Sequence, residues 1–377
     1  MNRPSSRCRF TGSSIALLLL AALVGCAPDD QTIVFGLAGP FDRFYGVSMR
    51  DGAELARQEL NDRGGIGGRM LEFRTRDDGA DAERGIGIAE ELVDDPEVVA
   101  VIGHVNSGVM IAAAPVYGRG LPAVATSATA PAIGQLSPWV FRVASSDSAN
   151  AVELARFSRA MGEGTTGILY ENNAYGRGLA QSFRNALTGQ GSRPLETDPY
   201  LETTEDFSPF LRRLETRGAE LIFVAGIEEG ASGIIRQARE MGLPLRFIGG
   251  DGLEGLVAMN GDAYEGTYVG LMYHPDASPA AAEFAERFRT AYGREPDSFA
   301  ALAYDAVMLV ARVAAEHGTR RQSIRDGLAR VGRSGGIETH PGVTGPIRFD
   351  EHGDPVDKPF AVGVIREGRI VLPTGGS

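Results

Sequence analysis

Serine and threonine side chains recur in a nearly uncharged stretch, residues 103–131, with the sequence GHVNSGVMIAAAPVYGRGLPAVATSATAP. Ser107 follows one short apolar run, and Ser127 and Thr129 follow the next. In open α/β sheets, ligands bind beyond the carboxyl ends of strands, where helix N-termini present free amides and a partial positive charge. The stretch therefore predicts a neutral, donor-rich site for a small anionic group such as a carboxylate. The alternative is that these residues form two ordinary helix N-caps.

Residues suited to catalysis do not form a recognisable pattern. One G-x-S-x-G match occurs, GRSGG at 332–336, but Ser334 follows a helical pattern, whereas a nucleophile elbow follows a buried strand. The adjacent acids Asp77–Asp78 and Glu228–Glu229 are interpreted as solvated loop charges. The histidines are scattered, with no H-E-x-x-H pattern: His104, His274, His317, His340 and His352. We therefore expect no catalytic residue, no metal site and no cofactor.

The first 26 residues read as an export signal. Three arginines precede a ten-residue apolar segment, Ile15–Val24, which is too short for the ~20 residues that a membrane span requires. The segment ends in LVGC, which resembles a bacterial lipobox and predicts a lipid on Cys26. The alternative is an ordinary signal peptide with an incidental cysteine. Cys8 is the only other cysteine, so no disulfide can form in the exported chain. We expect a lipoprotein anchored in the membrane on its periplasmic or other extracytoplasmic face.

The exported part, about 350 residues long, favours two domains. Removal of the three leader arginines changes the formal net charge from −12 to −15. Such an acidic body argues against nucleic acid as a partner, because phosphates require clustered lysine and arginine.

Short apolar runs alternate with helical patterns along most of the chain. The continuous apolar run VVAVIG (98–103) is typical of a strand buried on both faces. Later runs at 166–171, 219–226 and 245–252 each precede a helical stretch. This alternation predicts βαβ units and parallel sheets, and it restarts near residues 140–150. The predicted fold is therefore α/β, with two doubly wound parallel-sheet lobes.

The order of several segments resembles the type I periplasmic binding proteins, specifically the leucine/isoleucine/valine-binding group of ABC-transporter solute receptors. The resemblance implies a Venus-flytrap architecture with a three-segment hinge. It implies residues 31–145 plus 274–358 as lobe I and residues 146–273 plus 359–374 as lobe II. The segments that carry it are GPFDRFYG, DGAELARQELNDRGGIGGRML, VIGHVNSG, ATSATAP, YENNAYGRGLA, AGIEEGASGIIRQAREMGL and FIGGDG.

The resemblance assigns four first-lobe residues to the ligand. Ser107 matches the family's carboxylate-binding serine, and Thr129 matches a threonine that contacts both the carboxylate and the ammonium. Ser127 stands where the family often has alanine and offers its carbonyl group. Tyr45 matches an aromatic residue that lines the side-chain pocket.

Three second-lobe residues complete the implied site. Tyr175 matches the tyrosine that covers the ligand, and Asp251 matches the acid that pairs with the α-ammonium group. Ile227 replaces a second tyrosine of branched-chain binders, which predicts a more apolar pocket. The family's first-lobe disulfide is absent, since Ala80 and Asn106 occupy the matching positions.

The expected function is that of an extracytoplasmic protein that binds a branched-chain or similar apolar amino acid by hinge closure. It would act as a monomer and deliver the amino acid to a membrane permease. One alternative is an amino-acid or amide sensor that signals to a partner without transport. The other is a serine hydrolase that acts through Ser334.

Overall fold

The computed structural model describes Met1 and residues 32–161, 165–259 and 261–373. Cys26 and the rest of the predicted signal lie outside the described residues. The strands are β1 Thr32–Gly39, β2 Met70–Asp77, β3 Val98–Ile102, β4 Ala123–Ala125, β5 Val140–Arg142, β6 Thr166–Glu171, β7 Thr197–Tyr200, β8 Leu221–Ala225, β9 Arg246–Gly249, β10 Tyr268–Leu271, β11 His340–Gly342, β12 Gly345–Ile347, β13 Ala361–Arg366 and β14 Arg369–Val371. The helices are α1 Phe44–Asp62, α2 Ala82–Asp94, α3 Ser107–Tyr117, α4 Asp147–Ala160, α5 Ala174–Gly189, α6 Ser208–Thr216, α7 Glu228–Glu240, α8 Pro279–Tyr292, α9 Ser298–His317 and α10 Arg321–Leu328.

Two large sheets organise the chain into two lobes. The first sheet has the order β2-β1-β3-β4-β5 and is parallel throughout. The second has the order β14-β13-β10-β9-β8-β6-β7. The chain passes between the sheets three times: after β5, after β10 and before β13. The α/β, two-lobe prediction is confirmed.

The second sheet departs from the expected parallel arrangement at one edge. Its strands from β7 to β10 are parallel, but β13 pairs antiparallel with β10, and β14 pairs antiparallel with β13. The last crossing returns the chain beside β10 in the opposite direction, and a tight turn then adds β14. This edge is a hairpin, which needs no crossover helix.

A long apolar helix forms the centre of the first lobe. Helix α9 is long and apolar enough to cross a membrane, but 83% of its most apolar window is buried inside the protein. It packs against α1 so closely that a Cβ atom on Gly52 would lie 2.0 Å from the carbonyl oxygen of Ala300. Glycine at position 52 therefore sets the approach of these two helices.

One predicted helix has a different form. The run 245–252 leads into a 3₁₀ helix, Asp251–Met259, whereas the runs at 166–171 and 219–226 lead into the α-helices α5 and α7. The first residue of this tight segment, Asp251, is 4% exposed, and Glu254 one turn later is 3% exposed. The 3₁₀ helix thus turns acidic side chains towards the boundary between the lobes.

Candidate functional site

A cavity of about 460 Å³ lies between the two lobes. Its lining residues lie at or after the carboxyl ends of strands, except Phe299, which belongs to α9. This position is the one that open α/β sheets use for ligands. Six of the seven predicted ligand-binding residues line the cavity: Tyr45, Ser107, Ser127, Tyr175, Ile227 and Asp251. The seventh, Thr129, is fully buried and is not part of the lining.

The first-lobe wall presents unpaired hydroxyl groups. The Ser107 hydroxyl accepts a 3.2 Å hydrogen bond from the Ala130 amide, which joins the loop after β3 to the loop after β4. The hydroxyl oxygens of Ser127 and Thr129 are buried and have no hydrogen-bond partner among the described residues. Neither α3 nor the short 3₁₀ helix after β4, Pro131–Gln135, is capped by a side chain. The N-cap alternative is therefore wrong. The hydroxyls of Ser107 and Ser127 line the cavity, whereas that of Thr129 does not.

Apolar and aromatic side chains group together at one end of the cavity. The rings of Tyr45 and Phe299 lie 5.7 Å apart between centroids. The side-chain amide of Asn106 donates a 3.1 Å hydrogen bond to the Tyr45 hydroxyl and so fixes this ring. Ile227, from the second lobe, packs against the core of the first lobe. This end of the cavity suits an apolar group.

The second-lobe wall presents a carboxylate. Asn173 caps α5 by accepting a 2.8 Å hydrogen bond from the Gly176 amide, which places Tyr175 in the first turn. The Tyr175 hydroxyl donates to Oδ1 of Asp251 at 3.0 Å and accepts from the Gly252 amide at 3.3 Å. Burial raises the pKa of Asp251 to about 6. A buried carboxylate of this kind is costly unless a cation meets it.

Sequence reasoning missed Asp147, a second buried acid beside this site. It is fully buried, and its backbone amide donates a 2.9 Å hydrogen bond to the Thr129 carbonyl. Burial, and then the charge of Asp251, raise its pKa to about 8, although the facing Thr129 side chain offsets part of the increase. Neither carboxylate oxygen has a partner in hydrogen-bond geometry among the described residues. Because Ser146 caps α4, Asp147 looks in sequence like an ordinary first-turn acid.

The interpretation of Asp77–Asp78 as solvated charges is wrong for Asp78. Asp77 is exposed, but Asp78 is fully buried, and its Oδ2 lies 2.6 Å from Nδ1 of His104. Nε2 of the same imidazole lies 2.9 Å from the Tyr117 hydroxyl. Successive residues at a strand end point to opposite sides, so one acid faces solvent and its neighbour faces the interior.

The same interpretation is wrong for Glu228, the first residue of α7. Its side chain is buried, and burial raises its pKa to about 8. A Cβ atom on Gly255 would lie 2.7 Å from the Glu228 carboxyl carbon, so the glycine leaves the space that this carboxyl group occupies. The adjacent Glu229 is 45% exposed, as expected.

Charged residues bridge the lobes at the mouth of the cavity. Arg43, in the loop after β1 of the first lobe, lies 3.1 Å from Glu202 and 3.6 Å from Glu229. Both acids belong to the second lobe, so these ion pairs form only when the lobes are close together.

In the described residues, no group of three or more histidine, cysteine or acidic side chains could hold a metal ion.

Ser334, the serine of the G-x-S-x-G match, lies in a turn between α10 and β11 and does not follow a buried strand.

Comparison with known proteins places the chain in a family. The sequence model of the family described as "Periplasmic binding protein" matches residues 33–369. The Leu/Ile/Val-binding protein homolog 1 of Brucella suis is 31% identical over 350 residues, which cover 91% of this chain and 92% of that protein.

Solved structures show the same relationship. An ABC transporter substrate-binding protein from Desulfitobacterium hafniense, in complex with Leu, is 31% identical with a TM-score of 0.79; the alignment covers 91% of this chain and all of that chain (100%). LivJ of Streptococcus pneumoniae, in complex with isoleucine, is 27% identical with a TM-score of 0.82, over 91% and 100% of the two chains. The resemblance inferred from the sequence is thus confirmed, and the chain belongs to the periplasmic binding protein family, the extracytoplasmic solute-binding components of ABC transporters.

Proposed function

We propose that this protein binds an apolar amino acid between its lobes and delivers it to a membrane permease. One observation carries the proposal: uncharged donors on the first lobe face a buried carboxylate, Asp251, on the second. A zwitterion has the complementary pair of charges. A plain carboxylate or an amide would leave Asp251 desolvated without a cation.

Each predicted residue has a role in this proposal. Ser107 and Ser127, with the free amides at the start of α3, bind the α-carboxylate. Asp251 binds the α-ammonium group, and Thr129 contributes when the loop adjusts around the ligand. Tyr175 orients Asp251 and covers the ligand from the second lobe.

The side-chain specificity follows from the apolar end of the cavity, where Tyr45, Ile227 and Phe299 lie. The relatives in complex with Leu and with isoleucine support a branched-chain or similar ligand. Because these relatives are transport proteins, they favour transport over a sensor function.

Hinge closure is the mechanism that we propose for delivery. The first lobe, residues 31–145 plus 274–358, receives the amino acid, and the second, 146–273 plus 359–374, then closes over it. The permease would recognise the closed form of this monomeric protein.

A lipid on Cys26 would hold the protein at the membrane, and Cys26→Ser should release it into the soluble fraction.

The ligand leaves chemically unchanged in this proposal. The position of Ser334 supports this absence of turnover. It lies in a turn that lacks the strand–turn–helix setting of a hydrolase nucleophile. Turnover of simple esters that disappears in Ser334→Ala would contradict this part of the proposal.

A thermal-shift screen tests the ligand class. The chain from Ala27 onward would be heated with each proteinogenic amino acid and with the matching deaminated carboxylate and deaminated amide. A ligand at 100 times its Kd should add about 2.7 kcal/mol of stability and raise Tm measurably. Shifts with apolar amino acids alone support the proposal. Equal shifts with deaminated carboxylates would overturn the amino-acid assignment.

A further inference from the structure

One arginine that does not line the cavity contacts the backbone of the loop that carries two predicted ligand-binding residues. Arg142, at the end of β5, is 1% exposed and is among the largest fully buried side chains of the described residues. Its Nη1 donates hydrogen bonds of 2.9 Å to the carbonyl oxygens of both Thr129 and Ala130. These residues belong to the ligand loop, which we define as residues 126–131.

The other side of the guanidinium group is held by a distant carboxylate. Nε and Nη2 of Arg142 donate to Oδ1 and Oδ2 of Asp354 at 2.7 and 2.6 Å. Such a bidentate pair fixes the plane of the guanidinium group. A Cβ atom on Gly134 would lie 2.6 Å from Oδ2 of Asp354, so glycine at that position leaves room for the pair. The orientation of Arg142 is therefore determined from both sides.

The ligand loop carries more than the two hydroxyl groups. The Thr129 carbonyl also accepts the Asp147 amide at 2.9 Å, and the Ala130 amide donates to the Ser107 hydroxyl. A Cβ atom on Gly178, in α5 of the second lobe, would lie 3.3 Å from Cδ of Pro131. The same six residues thus meet the ligand site, α4 and the closed second lobe.

We infer that Arg142, oriented by Asp354, is the positioning residue of the ligand loop. It holds the Thr129 and Ala130 carbonyls away from the cavity, so Ser127 keeps the position in which its hydroxyl binds a carboxylate, and Thr129 keeps the position from which it contributes. Affinity then depends on a side chain that does not line the cavity. This inference rests on the proposed function, because affinity for an amino acid is the main measurement.

The test compares Arg142→Lys and Asp354→Asn with a matched control, Arg321→Lys. Arg321 also donates to first-lobe carbonyls, those of Val93 and Val98 at 2.8 Å, but Val98 is at the opposite end of β3 from the cavity. Lysine cannot replace the planar fork of arginine at either position. All three variants should lose stability towards urea.

Ligand binding separates positioning from a general structural role. We expect Arg142→Lys and Asp354→Asn to raise Kd for the best amino acid by about tenfold or more, since each loses charge-assisted hydrogen bonds. Arg321→Lys should keep Kd within about threefold of the unmodified protein. An Arg142→Lys protein that loses stability like the control but binds as tightly as the unmodified protein would overturn the inference. If Arg142→Lys does not fold, the Kd of Asp354→Asn tests the inference in its place.

Amide hydrogen exchange keeps this test independent of the ligand. The amides of Ala130 and Asp147 report on the ligand loop directly, and we expect both to exchange faster in Asp354→Asn than in Arg321→Lys. If the unmodified protein binds no amino acid, the proposed function is wrong, and exchange at these two amides alone decides the role of Arg142. Unchanged exchange at both amides would then overturn it.

Discussion

The hydroxyl group of Tyr175 donates a 3.0 Å hydrogen bond to Oδ1 of Asp251, although 76 residues separate the two in sequence. Both side chains belong to the second lobe, so this part of the site is formed before the lobes close. A carboxylate that is already oriented loses little freedom when a cation reaches it.

Asp251→Asn tests the ammonium site with little change of shape. Asparagine can still accept the Tyr175 hydrogen bond, but it cannot pair with a cation. We expect Kd for the best amino acid to rise about 100-fold, or about 3 kcal/mol, by isothermal titration calorimetry. The control is Asp262→Asn, which changes an exposed acid in the short 3₁₀ helix Asp262–Tyr264. A change below about threefold in Asp251→Asn would show that this carboxylate does not bind the ammonium group.

The affinity should also depend on pH below neutrality. Burial raises the pKa of Asp251 to about 6, so a proton competes with the ligand ammonium group below that pH. We expect Kd to be constant above about pH 7 and to rise roughly tenfold per unit below about pH 5.5. Calorimetry in a series of buffers measures this profile. The dependence should disappear in Asp251→Asn; its persistence there would assign it to another group.

Asp147→Asn should change how stability depends on pH in the ligand-free protein. The folded-state pKa of Asp147 is raised to about 8, so the folded protein keeps a proton that the unfolded chain has released. Between about pH 5 and pH 7.5, this group lowers the free energy of unfolding by about 1.4 kcal/mol per pH unit as pH rises. Urea titrations should show that Asp147→Asn removes this contribution. The control is Asp276→Asn, whose side chain is 82% exposed. Equal slopes in the Asp147 variant and the unmodified protein would contradict the prediction.

Arg43→Gln should shorten the lifetime of the closed, liganded form. The ion pairs of Arg43 with Glu202 and Glu229 cross the mouth of the cavity, but they are partly exposed. Pairs of this kind contribute up to about 1 kcal/mol, so we expect ligand dissociation to accelerate about threefold at low salt. The difference should vanish at about 0.5 M salt. Stopped-flow fluorescence measures the rate. Arg289→Gln, which breaks ion pairs within the first lobe, is the control.

Most of the architecture could be predicted from the sequence. Strands β3 and β8 each come from a continuous apolar run in the sequence. Such a run is visible from adjacent residues alone, so it predicts a buried strand directly. The hydroxyls of Ser107 and Ser127 could be placed because parallel strands bring their carboxyl ends to one edge. The 3₁₀ form of the segment after β9 could not be predicted, because its pattern also suits an α-helix.

The sequence by itself determined the alternation of strands and helices, the two-lobe division and the identity of the residues at the strand ends. Only the tertiary structure decided which acids are buried. Asp78 and Glu228 differ from their exposed neighbours through residues distant in sequence, His104 and Gly255 respectively. Arg142 likewise acquires its role from Asp354, 212 residues away. The environment of a charged side chain depends on which distant residues folding brings near it, and the pattern of adjacent residues in the sequence does not contain that information.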